Sequence, residues 1–254
     1  MAVDPRRIAL QLYTLREHLK TEEDIARTFG RVRKIGYEHV QLSGLGPVAP
    51  ARIKQLADAA GLGIIATHED SREIVEEPAR VAERLATLGC RFTAYPAPHV
   101  PLDSLDQVLA LSDQLSRAGE VLRSHGRLLC YHHHALEFRK LQGKLILDWL
   151  FERMDPFLVH AELDTYWVQA GGGEPAGYCA RLSGRLPLLH LKDYAISPKG
   201  EPMTAVLGEG NLSFPRILRE AESAACEWYI VEQDGALDDP FTAIEKSLRY
   251  LESL

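Results

Sequence analysis

Carboxylates and imidazoles gather in four short stretches of this chain: YHHHALEF (131–138), ELDTYW (162–167), LLHLKDY (188–194) and IVEQD (230–234). The first holds three of the ten histidines side by side. A histidine run alone is commonly a solvated surface loop. One Asp, one or two Glu and one or two His brought together, however, are a ligand set for a divalent cation. Carboxylate oxygens suit Mn²⁺ or Mg²⁺, imidazole draws the preference toward Mn²⁺, Co²⁺ or Zn²⁺, and the absence of clustered cysteine argues against a structural zinc site. One chemistry that such a set supports is removal of a weakly acidic C–H proton beside a carbonyl. A cation holding the adjacent oxygens stabilises the enediolate, and a placed carboxylate or imidazole carries the proton.

Whether the four stretches meet depends on the elements that carry them. Short apolar, β-rich runs recur about every 25 to 35 residues, each followed by a helical stretch. They are IALQLYT (8–14), HVQLS (39–43), GIIATH (63–68), RFTAYPA (91–97), RLLCYHH (127–133), VHAELDTY (159–166), LPLLHLKD (186–193) and WYIVEQD (228–234). Amphipathic segments occupy 21–35, 49–60, 78–88, 102–125, 140–154, 175–182, 214–224 and 240–254. In KIGYEHV, AAGLGII, TLGCRF and SHGRLL a glycine precedes the strand, where it can end the helix in a left-handed residue. Eight strand–helix units in 254 residues predict an α/β protein with the (β/α)8 TIM barrel fold. An open doubly wound sheet would carry fewer strands and a Gly-rich dinucleotide turn after the first, where this chain reads LREHLK. No Ser/Gly/Pro-rich linker divides the chain, so residues 1–254 read as a single domain. The longest irregular loop, 196–212, stands where it can cover the barrel mouth.

A barrel of this kind places its active site at the C-terminal ends of the strands. Strand three ends in His68-Glu69, strand five in the histidine run, strand six in Glu162-Leu163-Asp164, strand seven in His190-Leu191-Lys192-Asp193 and strand eight in Glu232-Gln233-Asp234. Strands five to eight therefore deliver a carboxylate or an imidazole to one rim. Alternation puts His132 and His134 on one face of strand five and His133 on the other. It likewise pairs Glu162 with Asp164, His190 with Leu188 and Lys192, and Glu232 with Ile230 and Asp234.

Bulk properties exclude some functions. At 46% hydrophobic and 26% charged the chain has an ordinary globular composition. A net charge of −7 without a basic block disfavours binding to nucleic acid. No stretch approaches the roughly 18 apolar residues of a membrane span, and the N-terminal residues lack a signal peptide's pattern, so a cytoplasmic protein without membrane partners is expected. Cys90, Cys130, Cys179 and Cys226 lie far apart and read as buried reduced thiols.

ELDTYWVQAGG (162–172), LLHLKDY (188–194), LGEGNLSF (207–214) and IVEQD (230–234), preceded by YHHHALEF, resemble the sugar phosphate isomerase/epimerase family, the xylose isomerase-like TIM barrels. The similarity runs from QLYTLRE near the start to SLRYL near the end, with the motifs in the family's order. The resemblance implies an enzyme of carbohydrate metabolism, an isomerase or epimerase of a sugar or keto-sugar. It also implies one divalent ion (Mn, Zn, Co or Mg) on strands five to eight, with Asp164, His190 and Glu232 as ligands. At the fourth ligand the chain departs from the pattern. Many relatives have glutamate where His132 stands, and the subgroup with YHNHxxEF has asparagine where His133 stands. Glu137 or His132 is expected to ligate, ahead of His134, and the spare imidazoles would face the substrate. Glu232 is the expected base, Lys192 would hold or protonate an oxyanion, and His134 joins them as a catalytic candidate. Gln11 and His68 are candidates for substrate hydroxyls, and Trp167 and Tyr13 for walls of the pocket. Family members are often dimers or tetramers, so a homo-oligomer is open to this chain.

Three rivals stand beside this reading. The same family includes lyases and dehydratases of keto-sugars and inososes, which begin with the same proton removal. An abasic-site endonuclease on this barrel would need a cluster of several zinc ions and a basic groove, against the charge of −7. A sugar-binding barrel without turnover would explain the missing strand-five glutamate.

Overall fold

Each of the eight apolar runs contains one strand of a closed parallel barrel. The computed structural model describes residues 4–235 and 239–254. In chain order the barrel strands are Ile8–Gln11, His39–Leu42, Gly63–His68, Phe92–Tyr95, Leu128–His132, Val159–Asp164, Leu188–Leu191 and Trp228–Val231, called strands one to eight below. Every strand pairs with its neighbours in sequence, and strand one closes the ring on strand eight. Several strands stop short of the apolar run that announced them. Asp164 ends strand six because its carboxylate caps the helix Thr165–Ala170, and residues 232–234 extend past strand eight toward the rim.

Alternation divides the strand residues between two buried layers. Ala9, Ala66, Phe92, Ala94, Cys130, Leu188 and Ile230 form an apolar plug inside the barrel. Leu10, Val40, Leu129, Leu163, Leu189 and Val231 belong to the larger core between strands and helices. The polar residues that continue the inward faces, among them His132, Glu162, His190 and Glu232, are therefore stacked above an apolar floor.

The surrounding helices obey local chemistry. Thr21 and Asp24 form a reciprocal capping box at the start of Glu22–Ile35. Gly61 and Gly89, at φ of 72° and 70°, end Pro50–Ala60 and Pro78–Leu88 in the left-handed conformation that glycine adopts without a Cβ clash. Three expectations need correction. Segment 140–154 is helical only over Ile146–Arg153, because Lys140–Leu141 and Lys144–Leu145 form a small hairpin around Gln142 and Gly143, both at positive φ. Short helices at Ser71–Glu76 and Thr165–Ala170, capped by Asp70 and Asp164, had no periodic signal long enough to read. The segment 196–212 is not wholly irregular, since a hairpin pairs Asp193–Ile196 with Pro202–Ala205.

All four cysteines are buried and unpaired, and burial pushes the Cys90 thiol up to about 12. No helix among the described residues is long and apolar enough to cross a membrane. The segment after strand seven is tied back by one carboxylate: Asp193 accepts from the backbone N–H groups of Tyr194, Gly208, Gly210 and Leu212 at 2.8 to 3.2 Å. Replacing it should therefore loosen a loop, not only remove a charge. Asp193→Ala is expected to lower unfolding free energy by about 2–4 kcal/mol and to open 197–212 to limited proteolysis; unchanged denaturation and cleavage would remove its anchoring role.

Candidate active site

A cleft of about 430 Å³ opens at the C-terminal ends of the strands, lined by His68, His132, His134, Lys192 and Glu232 with Tyr13 and Trp167. A bay of about 530 Å³, walled by Tyr13, Tyr166, Trp167 and Met203, shares Tyr13, Trp167 and Asp234 with it. A separate cavity of about 390 Å³ among Phe157, His160, Tyr178 and Arg185 contains none of the strand-end groups.

Two groups of potential cation ligands meet beneath the cleft, and His190 belongs to both. The upper group is Asp164, His190 and Glu232. His190 Nδ1 lies 2.8 Å from Glu232 Oε2 and 3.9 Å from Asp164 Oδ2. Lys192 Nζ closes one side, 3.7 Å from Asp164 Oδ2, 3.6 Å from Glu232 Oε2 and 2.7 Å from Asp234 Oδ1. Asp164 Oδ1 accepts from the Trp167 backbone N–H at 3.0 Å, while its Oδ2 is buried without a hydrogen bond. A buried carboxylate oxygen with no donor is costly unless something positive occupies its free valence. Two carboxylates and an imidazole with one unfilled oxygen are a donor set that fits a divalent cation.

The lower group is His68, His132, Glu162 and His190. Its hub is Glu162, with 0% exposure. Glu162 Oε2 lies 2.6 Å from His68 Nε2, 3.3 Å from His132 Nδ1 and 3.4 Å from His190 Nε2, and its Oε1 accepts from Gln41 Nε2 at 2.6 Å. The other end of the Gln41 amide lies 2.7 Å from His190 Nε2. Neither Gln41 nor Glu162 stood among the sequence candidates. The available signals were the shared face of Glu162 and Asp164, and a polar residue between Val40 and Leu42 in the run HVQL.

The histidine run of strand five divides as alternation requires. His132 turns inward to the lower group. His133 turns the other way, packs its ring 5.7 Å from that of Phe138 and accepts from the Asp164 backbone N–H at 3.1 Å. His134 lines the cleft with its ring 5.1 Å from that of Trp167. Glu137 lies outside both groups: Oε1 accepts from the Tyr131 hydroxyl and Oε2 from the His134 backbone N–H, each at 2.9 Å. Gln11 is buried, accepting from the Tyr13 N–H and reaching His68 Nδ1 at 3.5 Å, while His68 itself lines the cleft. The histidine run is thus neither a solvated loop nor a single cluster; its three rings serve three different surroundings.

Burial opposes every charge here, and the neighbours decide which survive. Burial pulls His190 down, but Glu162 and Glu232 more than offset this and hold its proton up to about 10. Burial raises Glu232, and Lys192 and His190 outweigh it, keeping the carboxyl well below its usual range. Glu162 is lowered in the same way by His190 and His68. Asp164 goes the other way: burial, only partly countered by Lys192, lifts it to about 6. Burial would discharge Lys192, yet Glu232, Asp164 and Asp234 raise it above its ordinary value. Burial and then Lys192 push His134 down to about 4, so it is neutral at neutral pH.

Comparison with known proteins places this chain among relatives. Inosose dehydratase of Geobacillus kaustophilus is 25% identical over 268 residues, covering 90% of this chain and 86% of that protein. The crystal structure of a sugar phosphate isomerase/epimerase from Parabacteroides distasonis superimposes with a TM-score of 0.85 at 25% identity, covering 99% and 95% of the two chains. The fold is shared with 3-keto-D-glucoside 4-epimerase of E. coli, at a TM-score of 0.71 and 16% identity over 98% and 99% of the two chains. The sequence pattern of the xylose isomerase-like TIM barrels matches residues 29–254. The chain belongs to the xylose isomerase-like TIM barrel family.

Proposed function

We propose that the protein is a divalent-metal-dependent enzyme that removes a proton beside the carbonyl of a keto-sugar or related polyol, as an isomerase or epimerase. The observation that carries this reading is the unpartnered Asp164 Oδ2 facing His190 and Glu232. Asp164, His190 and Glu232 would hold the cation. His132, its ring 4.8 Å from that of His190, is the strand-five donor in preference to Glu137, whose oxygens are both bonded. A divalent cation bound there supplies Lewis-acid stabilisation of negative charge on substrate oxygens.

The remaining chemistry belongs to the chain. Glu232, kept ionised, is the proton acceptor. Lys192, kept protonated and held by Asp234, is suited to stabilising or protonating an oxyanion but not to acting as a base. Neutral His134 offers a second proton carrier at the cleft wall. His68 and Trp167 contact the substrate, and buried Gln11 acts behind His68. A second reading, a dehydratase or lyase, is favoured by the similarity to an inosose dehydratase over 90% of the chain. Both reactions share the first proton transfer. They part when the enediolate is reprotonated on carbon or expels hydroxide, a step for which the Lys192 ammonium is a suitable acid. Unpaired buried cysteines accord with a cytoplasmic protein.

Elemental analysis of protein grown in metal-replete medium is expected to find about one Mn, Co, Zn or Mg per chain, lost in Asp164→Ala and Glu232→Ala; metal-free wild type would contradict the reading. Cation affinity should weaken as pH falls below about 10, because His190 must release its proton to coordinate, and more steeply below about 6, where Asp164 is protonated as well. Mn²⁺ titrations at pH 7.5 and 5.5 check this, and equal affinities would count against Asp164 as a ligand. Metal-loaded protein incubated in D₂O with ketoses, 3-keto-glycosides and inososes should exchange the proton beside the carbonyl, read by NMR. Glu232→Gln should slow that exchange by about 10²- to 10⁴-fold. A rearranged sugar identifies the isomerase or epimerase, loss of water the dehydratase, and no exchange with any substrate the binding barrel.

A further inference from the structure

We propose that Gln41 and Glu162, neither of which lines the cleft, are positioning residues that decide which nitrogen of His190 faces the cation. The inference rests on the reading of His190 as a ligand.

The argument is one of donors and acceptors. A carboxylate only accepts, so the end of the Gln41 amide 2.6 Å from Glu162 Oε1 must be its NH₂. The opposite end, 2.7 Å from His190 Nε2, is then the carbonyl oxygen, which only accepts. His190 must therefore keep a hydrogen on Nε2, which leaves Nδ1, whose proton Glu232 accepts in this structure, as the nitrogen that can give up its proton and present a lone pair to a cation. Were the amide reversed, its NH₂ would meet Nε2, and the hydrogen would move to Nδ1, where it blocks coordination.

Glu162 keeps the amide from reversing. It is wholly buried, and its other oxygen is engaged by His68 Nε2 at 2.6 Å, with His132 Nδ1 at 3.3 Å. The same carboxylate thus orients the ligand histidine through Gln41 and, directly, the cleft-lining His68. Strand pairing makes the relay rigid, since Gln41 lies mid-strand and His132 pairs with Glu162 in register. Glu162, Gln41 and His68 are accordingly a hydrogen-bonded support for the upper group and not a second cation site. Groups that orient a metal-bound imidazole in this way commonly affect metal affinity by 10- to 100-fold.

The test uses three proteins besides wild type: Gln41→Met, which keeps the length of the side chain and removes the acceptor; Glu162→Gln; and the exchange Gln41→Glu with Glu162→Gln. In the exchanged pair the new glutamine donates to the new glutamate, which accepts from His190 Nε2–H, so the relay survives with its charge moved. Gln41→Met is expected to weaken Mn²⁺ binding about tenfold or more, and the exchanged pair to recover it to within about threefold of wild type. Long-range ¹H–¹⁵N spectra of Zn²⁺-loaded, ¹⁵N-histidine-labelled wild type should show His190 coordinated through Nδ1 with its hydrogen on Nε2, a signature that a purely structural role for the pair would not set. Coordination through Nε2, undiminished affinity in Gln41→Met, or two cations per chain with Glu162→Gln removing one would each overturn the proposal. Should wild type bind no cation, the functional reading fails separately. The relay is then judged on metal-free protein, where a slowly exchanging His190 Nε2–H signal must be present in wild type and absent in Gln41→Met.

Discussion

Three carboxylates and two cationic side chains are buried together above an apolar plug, and the rest of the site depends on their mutual compensation. Glu162, Asp164, Glu232, His190 and Lys192 are all at most 5% exposed. An ion removed from water without a partner costs several kcal/mol, so none of these groups is tolerable alone. The barrel supplies the partners by register: Asp164 pairs with His190, and His190 with Ile230, two residues before Glu232. A slip of one residue in strand six or seven would turn a whole alternating set from the interior to the helix layer. Closure of the barrel and neutralisation of the cluster are thus conditions on each other.

The compensation is uneven, and the unevenness points to function. In the lower layer Glu162 is met on both oxygens, by Gln41 and by His68. In the upper layer Asp164 Oδ2 has no donor, although Lys192 stands 3.7 Å away. Glu162, bonded on both oxygens, is held in place, while Asp164, with one open oxygen, has room for one more positive centre. Above both lies the bay walled by the aromatic rings of Tyr13, Tyr166 and Trp167.

Much of this was legible in the residues. Eight strand–helix units followed from apolar runs, amphipathic segments and glycines before strands, since each of these signals is local. Asp164, His190, Lys192 and Glu232 were legible because alternation and a strand-end position mark them together. Glu137 shows the limit. Three residues beyond the histidine run, its carboxylate folds back under the turn Ala135–Phe138 to accept from Tyr131 and His134, a contact that spacing does not reveal. The small hairpins at 140–145 and 193–205 were missed because two- to four-residue strands carry too little periodicity to read.

The sequence by itself determined the fold class, the face of each strand residue and the kinds of atom available to a cation or a proton, because these follow from local period and side-chain chemistry. Only the tertiary structure decided which donors share a height inside the barrel. That height is set by the stagger between neighbouring strands, which brings Gln41 of strand two within reach of Glu162 of strand six and His190 of strand seven across the barrel interior. Residues 121 and 149 positions apart become partners there, and no local pattern encodes a contact that exists only once the ring is closed.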